Sequence, residues 1–260
     1  MIASTQFDGG QQFSPDGRRI VFTSTRSGSY EIWVCDYDGS NSRQLTFSGG
    51  PDTGTPRWSP DGRQIVFDST PQGHSDIFVV SAEGGRPRRL TMESSNDCVP
   101  SWSRDGRWIY FASDRTGAWQ VWKMPAEGGR AVQVTKQGGF AAFESLDGKT
   151  LYYAEGQSRP GLWKVPAEGG EETQVLPQPA AYQWRNWGLT AEGIYFHDAS
   201  TKAIEFFSFA THKVTQVVKP EKPAAIGRMG FAVSSDGRWI LFAQVDQDVS
   251  DIMLVENFRW

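Results

Sequence analysis

Phe13-Ser14-Pro15-Asp16-Gly17-Arg18 and Trp58-Ser59-Pro60-Asp61-Gly62-Arg63 are one motif at two places, and Trp102-Ser103-Arg104-Asp105-Gly106-Arg107 is a third copy. The Asp-Gly pair continues at Asp147-Gly148 and Asp236-Gly237, with Glu192-Gly193 as a weaker copy in the gap. The steps between marks are 45, 44, 42, 45 and 44 residues. That period matches four-stranded units repeated around a ring. After each mark comes an alternating run: Ile20-Val21-Phe22, Ile65-Val66-Phe67, Ile109-Tyr110-Phe111, Leu151-Tyr152-Tyr153, Ile194-Tyr195-Phe196 and Ile240-Leu241-Phe242. A further run follows, as in Glu31-Ile32-Trp33-Val34, then a second turn such as Glu83-Gly84-Gly85, then a short run such as Arg89-Leu90-Thr91.

β-branched and aromatic residues suit a pleated surface covered on both faces. Asp-Gly supplies positive φ, and the spacing predicts two-residue hairpin turns. Four runs joined by such turns form an antiparallel meander that needs neighbours to cover its faces. The expectation is an all-β, six-bladed β-propeller of four-stranded antiparallel blades in a single domain, 1–260. The blades fall at about 9–46, 55–91, 99–135, 140–176, 184–217 and 228–256. The last repeat runs out one strand early. Ile2-Ala3-Ser4-Thr5, residues 2–5, stands where Arg89-Leu90-Thr91 stands in a full repeat, so the N-terminal strand is expected to close the last blade.

The Ser-Pro-Asp-Gly-Arg motif, with its following Ile-x-Phe and Ile-Trp-Val runs, resembles the TolB-type, WD40-like β-propeller repeat across essentially the whole chain. The resemblance implies six blades. Asp251-Ile252-Met253-Leu254-Val255 also looks like the last strand of propellers at the C-terminus of larger bacterial regulatory proteins. It therefore implies an interaction or sensor module, with a protein or peptide as partner.

Composition excludes several other classes. Net charge is −4, so no basic face invites nucleic acid. No apolar run has the length of a membrane-spanning helix. No charged-then-apolar leader precedes the first turn, so the chain either stays where it is made or is a piece of a longer one. The compartment, periplasm or cytoplasm, stays open. Two cysteines, Cys35 in the third strand and Cys98 in the loop entering the third blade, exclude a disulfide framework and a four-Cys zinc site. His74, His197 and His212 form no metal or catalytic pattern, and no nucleophile elbow or phosphate loop occurs. Asp36-x-Asp38-Gly39-Ser40-Asn41 lacks the closing Glu of a calcium loop. No cofactor and no catalytic set are expected.

Three further positions draw expectations. Glu144 occupies the place of Phe13, Trp58 and Trp102, and a buried carboxylate there needs a partner. Trp33, Trp122 and Trp163 recur at one blade position and read as core, whereas Trp184, Trp187 and Trp260 break register and read as exposed. The eighth residue before each mark is expected at the channel mouth: Asp8, Thr53, Asp97, Gly139, Trp184 and Arg228, with Asp52, Asn96 and Arg185 beside them. The binding set is therefore Asp8, Asp52, Thr53, Asn96, Asp97, Trp184, Arg185 and Arg228, on the face of long loops that carries function in such scaffolds. A small ligand or metal in the channel is the alternative to a protein partner, and a propeller hydrolase or lyase comes third.

Overall fold

Each Ser-x-Asp-Gly motif folds into the same hydrogen-bonded turn, and that turn sets the blades. In the computed structural model, residues 6–156, 160–179, 183–222, 230–234, 236–246 and 249–256 are described. Ser14 to Gly17 form a four-residue turn closed by the Gly17 N–H donating to the Ser14 carbonyl at 2.9 Å. The Ser14 hydroxyl donates to Asp16 Oδ1 (2.5 Å), which also accepts from the Arg18 N–H. Gly17 takes φ 70°, where a Cβ would be strained. The same closure recurs at Ser59–Gly62, Ser103–Gly106, Ser145–Gly148 and Ser234–Gly237. These are longer than the two-residue hairpins expected: the Ser hydroxyl donates to the Asp, whose carboxylate also accepts from the N–H two residues on, which favours the longer form. Glu192-Gly193 is a different turn. Thr190 and Gly193 close it, and Gly193 begins a strand packed against the Phe207 carbonyl.

The turn carboxylates are held low. The Arg107 N–H and then the Ser103 hydroxyl bring Asp105 down to about 2, and the Ser234 hydroxyl does the same first for Asp236. A carboxylate lowered on folding stabilises the fold above its unfolded value near 4, and that contribution is lost as pH falls through about 2. Thermal unfolding followed from pH 5 to pH 2 should show stability falling across the lower half of that range. Asp105→Asn should shallow the slope, and an unchanged slope would remove these turns as its source.

Five four-stranded antiparallel sheets follow one another. The first holds β1 (Asp8–Phe13), β2 (Arg19–Ser24), β3 (Glu31–Asp36) and β4 (Arg43–Gln44). The second holds β5 (Thr53–Trp58), β6 (Gln64–Ser69), β7 (Asp76–Ser81) and β8 (Arg88–Arg89). The third holds β9 (Asp97–Trp102), β10 (Trp108–Ser113), β11 (Gln120–Pro125) and β12 (Val132–Gln133). The fourth holds β13 (Phe140–Glu144), β14 (Thr150–Ala154), β15 (Leu162–Pro166) and β16 (Thr173–Leu176). The fifth holds β17 (Trp187–Leu189), β18 (Gly193–Asp198), β19 (Ala203–Ser208) and β20 (Val214–Val218). A sheet of three strands ends the described chain: β21 (Phe231–Val233), β22 (Trp239–Asp246) and β23 (Val249–Glu256). Among the described residues the four-stranded blades thus number five, not six, and the last repeat contributes three strands. The expected closing strand at residues 2–5 lies outside the described residues.

Strand alternation explains the ring. Along β2, Ile20 and Phe22 pack with Ala232 and Leu241 of the last sheet, while Val21 turns the other way to Trp58 and Phe67 of the second. Along β6, Ile65 and Phe67 face the first sheet and Val66 faces Trp102 and Phe111 of the third. A period-two strand buried on both faces thus supplies both of its seams. Basic side chains tie the outer seams: Arg43 donates to the Ala82 carbonyl (2.7 Å), Arg88 to that of Glu127 (2.8 Å) and Lys123 to that of Ala167 (3.1 Å).

Two placements differ from expectation. Cys98 lies in β9 rather than in a loop, and both cysteines are free. Trp187, expected at the surface, is 1% exposed. Trp33, Trp122 and Trp163 are partly buried and pack against the seams, and Trp260 lies outside the described residues.

Candidate functional site

The innermost strand of each of the first four sheets carries a bulge. Gly10 takes φ 65°, Thr55 47°, Val99 52° and Ala141 44° at equivalent positions, and the pairing register shifts at each. A bulge leaves its extra residue out of the ladder, so its polar groups need other partners. At two of them the partner is Asp68. Its Oδ2 accepts from the Val99 N–H at 2.7 Å and from the Thr55 hydroxyl, joining the second and third sheets on the channel side. β-branched residues at positive φ are uncommon, and such strain persists where the surroundings over-determine it.

The long-loop end of the channel opens into a cavity of about 280 Å³. Phe7, Tyr30, Asp52, Thr53, Asp68 and Arg185 are among its walls. Arg185 lies 4.2 Å over the ring of Trp184. Its Nε is out of contact with water and has no hydrogen-bond partner. Deeper in, Arg57 is buried over the Phe143 ring at 5.4 Å and donates to the carbonyl of Pro56 at 2.9 Å. Burial first, and then the charge of Arg185, pull the Arg57 guanidinium down to about 10, with Asp68 opposing. Arg185 is lowered by burial and supported by Asp68. Burial pushes the Cys98 thiol well up, with Asp68 adding to it.

The turn end of the channel opens into a second cavity, of about 290 Å³. Glu144 lies in its wall and has the partners a buried carboxylate needs. The Tyr110 hydroxyl donates to Oε1 at 2.7 Å, and the Arg104 N–H donates to Oε2 at 2.6 Å. The Tyr110 phenol is raised well above its usual range by burial and then by this carboxylate.

The structure brings Asp52, Thr53 and Arg185 to one cavity, with Trp184 against Arg185. It turns Asp8 and Asp97 away from it. Asp8 has no exposure and takes both its carboxylate oxygens to Arg26, at 2.8 and 2.9 Å. Asp97 is equally buried and pairs with Arg115 at 2.8 Å. Each Arg also stacks on its own sheet: Arg26 on Phe22 and Trp33, Arg115 on Phe111 and Trp122. Both aspartates are therefore braces within their sheets. Asn96 is engaged with Asp114 through its N–H and its amide, both at 2.8 Å. Arg228 lies outside the described residues.

A sequence signal for the braces existed. Asp8 to Arg26 and Asp97 to Arg115 share a spacing of 18 residues, whereas the second sheet has Thr53 and Pro71 there, and Thr53 pairs with Ser69 instead. Asp68 also carried one. It stands in the register position of Thr23 and Ala112, a carboxylate where its counterparts are small. Tyr30, Phe7 and Arg57 carried none beyond their type.

Among the described residues no cluster of three or more His, Cys, Asp or Glu side chains suits a metal ion. In the Asp36–Asn41 turn the carboxylates already accept from their own turn, Asp38 from Ser40 and Asp36 from Asn41, both at 2.6 Å.

Comparison with known proteins agrees with this architecture. The family described as the TolB beta propeller domain matches residues 50–178. TolB from Acinetobacter baumannii is similar at 16% identity and a TM-score of 0.78, over 93% of this chain. This chain spans 62% of the length of that TolB. A putative TolB from Agrobacterium tumefaciens is similar at 20% identity and a TM-score of 0.56, over 98% of this chain and 76% of that one. An oligogalacturonate lyase from Vibrio parahaemolyticus shares the fold at 10% identity and a TM-score of 0.69, over 99% of this chain and 94% of that one.

Proposed function

We propose that this β-propeller, whose residues 50–178 match the TolB beta propeller domain, is a non-catalytic module that recognises a segment of a protein partner at the long-loop mouth of its channel. The observation that carries the reading is the mouth cavity itself: an aromatic wall of Phe7 and Tyr30, a rim carboxylate at Asp52, and a guanidinium at Arg185 with an unengaged donor. Concave sites with few convergent polar groups are where binding concentrates. Two large apolar side chains stand free on the loops of the same face. Phe47 is 78% exposed and Met92 76%, each just after the last strand of its sheet. Exposed apolar groups on the face that carries a polar mouth fit a protein surface better than a free solute. What supports a non-catalytic reading is that the inner carboxylate of the cavity, Asp68, is already hydrogen-bonded from two sheets.

Site-specific photo-crosslinking tests it. A benzophenone side chain at Tyr30, on the mouth, should give a discrete protein adduct in cells. The same group at Tyr37, exposed in the turn between β3 and β4 at the other end, should not. Phe47→Asp should weaken the Tyr30 adduct at least several-fold while leaving the melting temperature within about 2 °C, since single surface changes cost little. Equal adducts at Tyr30 and Tyr37 would remove the mouth as the recognition surface.

A further inference from the structure

We propose that Arg185 forms a carboxylate subsite in the mouth of the channel, holding either the C-terminal carboxylate of a peptide or an acidic side chain. The inference rests on the binding role of the mouth and names the chemistry recognised there. Three charged side chains meet at the lumen, and they differ in what engages them. Asp68 accepts from the Val99 N–H and the Thr55 hydroxyl. Arg57 donates to the Pro56 carbonyl at 2.9 Å and is longer, at 3.5 Å, from that of Gly10. Arg185 has Trp184 beneath its plane and no hydrogen bond or ion pair from its guanidinium to any described residue.

A guanidinium is a planar fork of five donors and cannot discharge itself by losing a proton at neutral pH. One that lines a cavity, with no acceptor on its fork among the described residues, is completed by an acceptor of matching shape. A carboxylate supplies two parallel acceptors and a compensating charge. The indole of Trp184 fixes the plane of the fork, so the ligand is met by a preset geometry. Asp52 stands at the rim in water, where its charge is largely screened, and opposes an anion only weakly.

The probes are N-acetyl-Ala-Ala with a free carboxylate, the same peptide as its amide, and N-acetyl-Asp-amide, titrated calorimetrically into the intact chain at low salt. The free acid should bind and raise the melting temperature, and the amide should bind at least tenfold more weakly. Binding of N-acetyl-Asp-amide alone would assign the source to a side chain, and binding of the free-acid peptide alone to a chain end. Arg185→Gln should weaken the carboxylate probe at least tenfold, and Asp52→Asn should tighten it about twofold. The second variant touches no core and keeps the test valid if the first unfolds. Equal binding of acid and amide, or binding untouched by Arg185→Gln in a folded variant, overturns the subsite. Failure here with a specific Tyr30 adduct leaves the mouth as a protein-binding surface without this subsite. Carboxylate binding with no adduct does the reverse.

Discussion

Arg115→Ala is expected to lower the unfolding free energy by about 3–5 kcal/mol, the cost of leaving a buried charge without its partner. Asp97 has no exposed side-chain area, and Arg115 reaches it at 2.8 Å while lying 4.7 Å over Trp122. Without the guanidinium, Asp97 keeps only the Ser95 hydroxyl at 3.2 Å. Urea unfolding at pH 7 measures the loss. The double variant Asp97→Ala with Arg115→Ala should be less damaged than the sum of the two single changes, because removing both charges leaves neither stranded. Arg26→Ala provides a replicate in the first sheet, where Asp8 stands in the same relation. A loss below about 1 kcal/mol in both would put these pairs among ordinary surface ion pairs.

Trp187→Ala should cost about 3–5 kcal/mol, as truncation of a large buried aromatic does. The indole packs with Leu162, Ile194 and Phe196 in the seam between the fourth and fifth sheets. It meets Phe143 edge-on, with centroids 4.8 Å apart. Its Nε1–H is buried without a partner. Trp187→Phe should therefore be mild, since it keeps a ring against Phe143 and removes the stranded donor. Thermal melts of the two variants separate the readings: equal effects would mean that the packing around the ring is not what holds this seam.

These two residues also mark where the sequence was readable. Strand alternation and the Ser-x-Asp-Gly turn carried the sheets because each is a local pattern repeated in register, as at Ile20-Val21-Phe22 and Ile65-Val66-Phe67. Trp187 was misread because the fifth repeat has lost its motif turn, so counting back from Glu192 placed its innermost strand three residues early, at Trp184 instead of Trp187. The site was half legible for a different reason. Counting from the turn finds which residue begins a strand, and β1, β5 and β9 do begin at Asp8, Thr53 and Asp97. Counting does not tell which way the side chain points. Asp8 and Asp97 point into their sheets because an Arg waits there, a pairing across 18 residues that no turn motif encodes. Asp52 and Arg185 reach the cavity from the loops leading into two different sheets, a meeting set by ring geometry alone.

Where the innermost strand of the last sheet meets that of the first, main chain touches main chain. A Cβ on Gly230 would stand 2.9 Å from the Gly10 Cα and 3.2 Å from the Gln11 nitrogen, and the Gln11 amide donates to the Gly230 carbonyl. Farther out, side chains such as Phe22 and Leu241 fill the same seam, and their rotamers give a little under load. The inner contact is a clasp of fixed gauge, its width set by the thickness of bare backbone. In a closed circle the wedge angles between neighbours must add to a full turn, so a misfit at one joint is shared by all the others. The two glycines therefore act as a calibration stop for the bore of the whole ring. Gly10 shares a cavity wall with Asp52 and Arg185, so the spacing between those two is kept in part by a contact made of bare backbone.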